Sequence, residues 1–153
     1  MEKVAIPALT AAGYLPAGEH LCTLDEVQQS FATNEHRQGL LKRLRAFLDW
    51  LAATESLSMP VYLDGSFATS KPKPSDIDVV MDLEQATDEE IGKAMRVFQH
   101  HDWVKKEFLV DYYPYFRTAN YDLREYFKYI RVEELQQKQL PKESRKGLLR
   151  IEP

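Results

Sequence analysis

Cysteine is almost absent. Cys22 is the one thiol in 153 residues, so no internal disulfide can staple the chain, and that thiol reads as packing rather than as a nucleophile. Long apolar runs are missing too, and none approaches the roughly 20 residues that a membrane-crossing helix needs. The first twenty residues, MEKVAIPALTAAGYLPAGEH, hold one lysine and a proline-broken apolar segment, a poor match to a secretory leader. These absences give the expectation of a soluble, cytoplasmic protein with no membrane partner. Positive charge is in deficit: 20 Lys and Arg against 24 Asp and Glu leave a formal net charge of −4. That balance argues against strong duplex nucleic-acid binding held by bulk electrostatics, so any such contact must be local. No internal repeat, low-complexity tract or linker divides the chain, which is expected to form a single domain over residues 1–153. A chain of this length buries roughly 70% of its unfolded surface, and 44% hydrophobic with 29% charged residues is an ordinary globular composition.

Pro7, Gly13, Pro16 and Gly18 make residues 1–22 an expected irregular arm. Thr23 followed by Glu26 has capping-box spacing and opens a short helix through about Phe31. Asn34 can cap a longer one, along which Leu40, Leu41, Leu44, Phe47, Leu48 and Leu51 recur at helical period. Val61, Tyr62 and Leu63 read as a strand running into Gly65, and Ile77 to Leu83 as a second strand. Thr87 and Glu90 cap a helix ending near His100 and His101. A third strand is predicted in EFLVDYYPYF, Glu107 to Phe116, where Pro114 marks an edge, a bulge or a strand end. Asn120 then caps a helix through about Gln137, with Leu123, Phe127, Ile130 and Leu135 on one side. Residues 138–153 form a basic tail with a short last strand at Leu148 to Ile151.

The stretch VYLDGSFATSKPKPSDIDVVMDL, residues 61–83, sets a polar island between two apolar runs. In a strand, side chains two apart share a face, so Asp76 and Asp78 point the same way with Ile77 behind them. Like charges so placed repel, and a hard divalent cation with oxygen ligands removes the conflict. A solvated turn is the bland alternative for this pair. Gly65 lets backbone approach a phosphate closely, and Ser66 adds a hydroxyl beside the amides of that turn. Lys71 and Lys73 offer charge to a triphosphate, or else belong to an exposed turn stiffened by Pro72 and Pro74. Asp82 lies roughly 13 Å beyond Asp78 at strand rise, too far to share an ion. Asp64, immediately before the glycine, is a weaker candidate, and both it and Asp82 are left outside the metal site.

An apolar strand, then Gly65 and Ser66, then nine residues, then Asp76 and Asp78 between Ile77 and Val79 resembles the signature of the polymerase-beta-like nucleotidyltransferase superfamily. The match spans roughly residues 61–111, and GSFATSKPKPSDID looks like a group of small bacterial proteins of that superfamily. The resemblance implies a third carboxylate on a later strand, and Asp111 in LVDYYPYF fills that place after one intervening helix. It further implies an α/β fold, a short mixed sheet packed by helices, with residues 61–116 as catalytic core. Two magnesium ions would be held by Asp76, Asp78 and Asp111, while Gly65 and Ser66 would hold the terminal phosphates.

The activity so implied is transfer of a nucleoside monophosphate from an NTP, such as ATP, to a hydroxyl of a protein or RNA acceptor, with release of pyrophosphate. The alternative is a non-catalytic module of that fold that binds nucleotide or protein. A small-molecule transferase would need an acidic acceptor pocket, which Glu107 and Asp122 do not supply. In size the chain is similar to the nucleotidyltransferases of bacterial toxin-antitoxin pairs, which raises a partner protein and a role in toxin-antitoxin or anti-phage systems. Their Gly-Ser-x-Ala-Arg-Gly form becomes GSFATS here, without the arginine.

Other residues carry two readings each. Tyr112, Tyr113, Tyr115 and Phe116 can stack a base, or belong by strand alternation to the core. His100 and His101, at a helix end, read as capping groups. Arg145, Lys146 and Arg150 form either a patch for an anionic partner or a mobile charged tail.

Overall fold

The computed structural model describes residues 6–116 and 123–153. Its chain is a mixed α and β structure in which alternation along the strands decides which face each residue serves. β1 (Glu19–Cys22), β2 (Val61–Asp64), β3 (Ile77–Asp82), β4 (Val110–Tyr115) and β5 (Leu148–Ile151) form one sheet. Among the described residues its order is β1-β5-β2-β3-β4. β2 runs antiparallel to β3 and to β5, whereas β4 lies parallel to β3 and β1 parallel to β5.

One face is the main core. Leu63, Ile77, Val79, Met81, Val110 and Tyr112 meet the helices there. α1 (Leu24–Phe31) starts at Thr23, whose side chain accepts from the Glu26 amide in a capping box. α2 (Glu35–Thr54) starts at Asn34, which accepts from the Arg37 amide at 2.8 Å. α2 buries Leu40, Leu41, Leu44, Phe47 and Leu51, the row the periodicity predicts. α3 (Asp88–Gln99) carries the second capping box, at Thr87 and Glu90. The opposite face is narrower: Tyr62, Val80, Tyr115 and Leu148, with Phe127 against them.

Four elements differ from the sequence expectation. Glu19–Cys22 is a strand rather than irregular arm, because its backbone pairs with β5 at Glu19↔Leu148 through Cys22↔Ile151. Glu107 and Phe108 end a helix, α4 (His101–Phe108), not the start of a strand. Leu109 then adopts a left-handed conformation, φ 51°, and turns the chain directly into β4. The helix predicted through Gln137 is broken into α5 (Leu123–Lys128) and α6 (Val132–Gln137). Tyr129 between them bridges to Arg145, and Ile130 turns inward and is buried. Its predicted cap, Asn120, lies outside the described residues.

Nor is the C-terminal segment a mobile tail. β5 is an inner strand, flanked by β1 and β2, and Lys146, Gly147 and Leu148 donate their amides to the carbonyls of Lys128, Leu15 and Gly18. Pro114 sits, as expected, in the edge strand β4, where the ladder hydrogen bond it cannot make is not needed. Cys22 is buried. Among the described residues no helix is long and apolar enough to cross a membrane.

Candidate active site

Register gathers the acids. Asp64 is paired with Asp78 across β2 and β3, and Asp78 with Asp111 across β3 and β4. Directly opposed residues share a face, so three carboxylates stand in a row across three strands. Asp76 enters from the loop just before β3. Asp76, Asp78 and Asp111 each offer a carboxylate oxygen, and these atoms lie within 4.8 Å of one another. The sequence pair and the distant third acid are thus brought to one point.

Asp78 is the most crowded of the three. Burial pushes its carboxyl up to about 7, helped by the charges of Asp76, Asp111 and Asp64 and opposed by Lys146. Gly65, at φ 79°, packs so closely that a Cβ there would collide with the Asp78 carboxylate. The glycine therefore makes room for the Asp78 carboxylate, a role separate from any approach to phosphate.

Asp64, left out by the sequence argument, belongs to the same row. It is 1% exposed, and neither carboxylate oxygen has a hydrogen-bond partner. Burial pushes it up to about 6 against the pull of Lys146 and the Gly65 amide. The Lys146 ammonium stands 3.9 Å from Asp64 Oδ1. Such an orphaned carboxylate costs free energy unless a proton or a cation meets it.

Asp111 is fixed at both oxygens. His101 Nε2 lies 2.6 Å from Oδ1, and since a carboxylate only accepts, that nitrogen carries the proton. Tyr113 donates its hydroxyl to Oδ2 at 2.9 Å. His101 is therefore a partner of the site rather than a cap. Lys105 of α4 reaches Asp76 Oδ2 at 3.5 Å.

The segment from Gly65 to Pro74 is anchored from beneath. Gly65–Ala68 forms a single 3-10 turn. Arg37, only 2% exposed, donates to the carbonyls of Phe31 and Phe67 through Nη1 and of Thr69 and Lys71 through Nη2. Five such donors in a rigid fork suit carbonyls arranged around one centre. Asn34 donates to Pro72 O, and His36 meets Pro74 O at 2.5 Å. Ser66 is exposed at the mouth of the turn. Lys71 and Lys73 are exposed as well, and among the described residues neither ammonium pairs with the triad; Lys105 and Lys146 are the cations found beside the acids. Asp82 is removed from the row, as expected, and pairs with Arg150 at 2.9 Å.

Sequence spacing had one usable signal for these additions. His101, ten residues before Asp111 at a helix start, is within reach of the strand that follows. Lys146 and Arg37 had none, because Asp64 lies 82 positions from Lys146 and the Phe67, Thr69 and Lys71 carbonyls lie 30 or more positions from Arg37.

A family model described as "Family of unknown function (DUF6932)" matches residues 7–152. No curated protein and no solved structure matches the chain.

Proposed function

The chain belongs to the family of unknown function DUF6932, and we propose from the chemistry of its site that it is a metal-dependent nucleotidyltransferase with a polymerase-beta-like fold. It would move a nucleoside monophosphate from an NTP, such as ATP, to a hydroxyl of a protein or RNA acceptor. The observation that carries this reading is the convergence of Asp76, Asp78 and Asp111.

The donor set fits hard divalent cations. It is all oxygen, three carboxylates deep, with the orphaned Asp64 carboxylate alongside and an Asp78 whose charged form is disfavoured by burial and by the neighbouring acids. Asp76, Asp78 and Asp111 would hold magnesium, as one ion or two. Bound there, Mg2+ would neutralise triphosphate charge and stabilise the attacking and leaving oxygens.

The protein's own groups do the rest by position. Ser66 presents an exposed hydroxyl in the turn that follows Gly65, and the carbonyls that Arg37 draws inward hold that turn in one shape. Lys105 and Lys146 bring positive charge to the rim. Asp111, oriented by His101 and Tyr113, would accept the proton of the attacking hydroxyl.

A second reading keeps the fold and drops the transfer: a module that binds nucleotide or a partner protein. It draws on one observation, that both Asp111 oxygens are already engaged. A partner protein in a toxin-antitoxin or anti-phage setting is compatible with either.

Labelled NTPs, Mg2+ and a cell lysate as acceptor source, compared between the native chain and the Asp76→Ala, Asp78→Ala double variant, test the transfer. Equal labelling by both would sink it. Calorimetric titration with Mn2+ supplies a readout free of the acceptor: the native chain should bind and the double variant should not.

A further inference from the structure

β4 carries a hydroxyl where an acceptor's hydroxyl would have to stand. Tyr113 is two residues beyond Asp111, so it shares that face of the strand, and its Oη donates to Asp111 Oδ2 at 2.9 Å. The ring is held on three sides. Its centroid lies 5.6 Å from Phe127, 5.7 Å from His101 and 6.4 Å from Phe98.

The neighbouring tyrosine shows what a structural phenol does in this sheet. Tyr112, fully buried in the main core, donates to the backbone carbonyl of Ala94 at 3.1 Å and goes nowhere near the acids. Tyr113 instead remains part exposed and points its oxygen at the carboxylate assigned to the attacking group. The orphaned carboxylate of Asp64, across Asp78 in the same row, marks this as a place where charge awaits a ligand.

We propose that Tyr113 is a modification site: the chain transfers a nucleoside monophosphate from an NTP to its own Tyr113 hydroxyl, in cis. The inference rests on the nucleotidyltransferase reading above and adds an acceptor to it. The Tyr113 oxygen forms a bond to the α-phosphorus, the bond from that phosphorus to the bridging oxygen of pyrophosphate breaks, and pyrophosphate leaves with the electron pair. The phenolic proton passes to Asp111 Oδ2, its hydrogen-bond partner at rest, and then to water. No oxidant or further co-reactant is required. The product is a phosphodiester that tethers a nucleotide inside the site and removes the hydroxyl from Asp111, so a modified chain is closed to other acceptors.

Intact-mass analysis of the full chain tests this, first as purified from the expressing cells and then after incubation with each of the four NTPs and Mg2+. The expected result is a gain of one nucleoside monophosphate, mapped to Tyr113 by peptide fragmentation, with a rate constant unchanged by dilution. Tyr113→Phe, which keeps the ring contacts and is checked for folding by its melting temperature, should fall to background, and so should Asp78→Asn. An unmodified native chain that still labels lysate, an adduct on another residue, or a rate that falls with dilution would overturn the proposal while leaving the transferase reading intact. Lysate labelling that survives in Asp78→Asn would instead bring down the transferase reading itself.

Discussion

Gly65 and Asp78 touch so closely that no methyl group fits between the glycine Cα and the carboxylate. The glycine also holds φ 79°, where an L side chain is strained by roughly 1–2 kcal/mol. Gly65→Ala should therefore lose about 1–3 kcal/mol in urea unfolding and weaken Mn2+ binding at least about tenfold, since a displaced Asp78 cannot ligate. Retention of both properties would separate Gly65 from the site.

The acid row sets a pH dependence with a definite sign. Asp64 and Asp78 stand at about 6 and about 7 in the fold, above the usual carboxylate value of about 4. Folding thus favours their neutral forms. Their contribution to stability is complete below about pH 4 and is lost as pH rises through 6 and 7. Without divalent cations, the melting temperature of the native chain should fall between pH 5 and pH 8 relative to Asp78→Asn. Saturating Mg2+ should raise it more at pH 8 than at pH 5. A difference that is flat with pH would contradict the burial of the row.

Among the described residues, Lys146 is the cation that faces the buried Asp64 carboxylate, 3.9 Å away. Lys146→Met leaves that carboxylate beside Asp78 with no opposing ammonium, which costs about 1–3 kcal/mol where Asp64 is ionised. The loss should be large at pH 8 and small at pH 5, where Asp64 carries its proton. Thermal melts at the two pH values measure it.

Arg37 holds the Gly65–Pro74 segment from below. Removing its guanidinium strands four carbonyls that it now satisfies, so Arg37→Met should destabilise by about 1–3 kcal/mol for each carbonyl left buried without a donor. A broad-specificity protease such as subtilisin should then cut within the Gly65–Pro74 segment faster than in the native chain under conditions where both are folded. Unchanged cleavage would mean that Asn34 and His36 suffice to pin the loop.

Local chemistry is what a linear reading sees well. Both capping boxes, the apolar row of α2 and the Asp76 and Asp78 pair are set by residues within a turn or a strand of one another, and they lie as expected. The helix α4 was hidden because Phe108, Leu109 and Val110 are strand-forming by composition, while the helix end is made by Leu109 in a left-handed conformation usually left to glycine. Asp64 was set aside because only its register with Asp78 and the approach of Lys146 reveal its setting. Those are contacts between distant segments, to which spacing within one motif is blind. The inner position of β5 is of the same kind, since it depends on partners about 90 and 130 positions earlier.

That inner position orders events during synthesis. β2, β3 and β4, with every carboxylate of the row, leave the ribosome before Lys146 and β5 do. A nascent chain can assemble the acids well before the ammonium that opposes them or the strand that covers the open edge of β2. Until then the Asp64 carboxylate lacks its ammonium and the edge of β2 its partner, so the burial of both waits on β5.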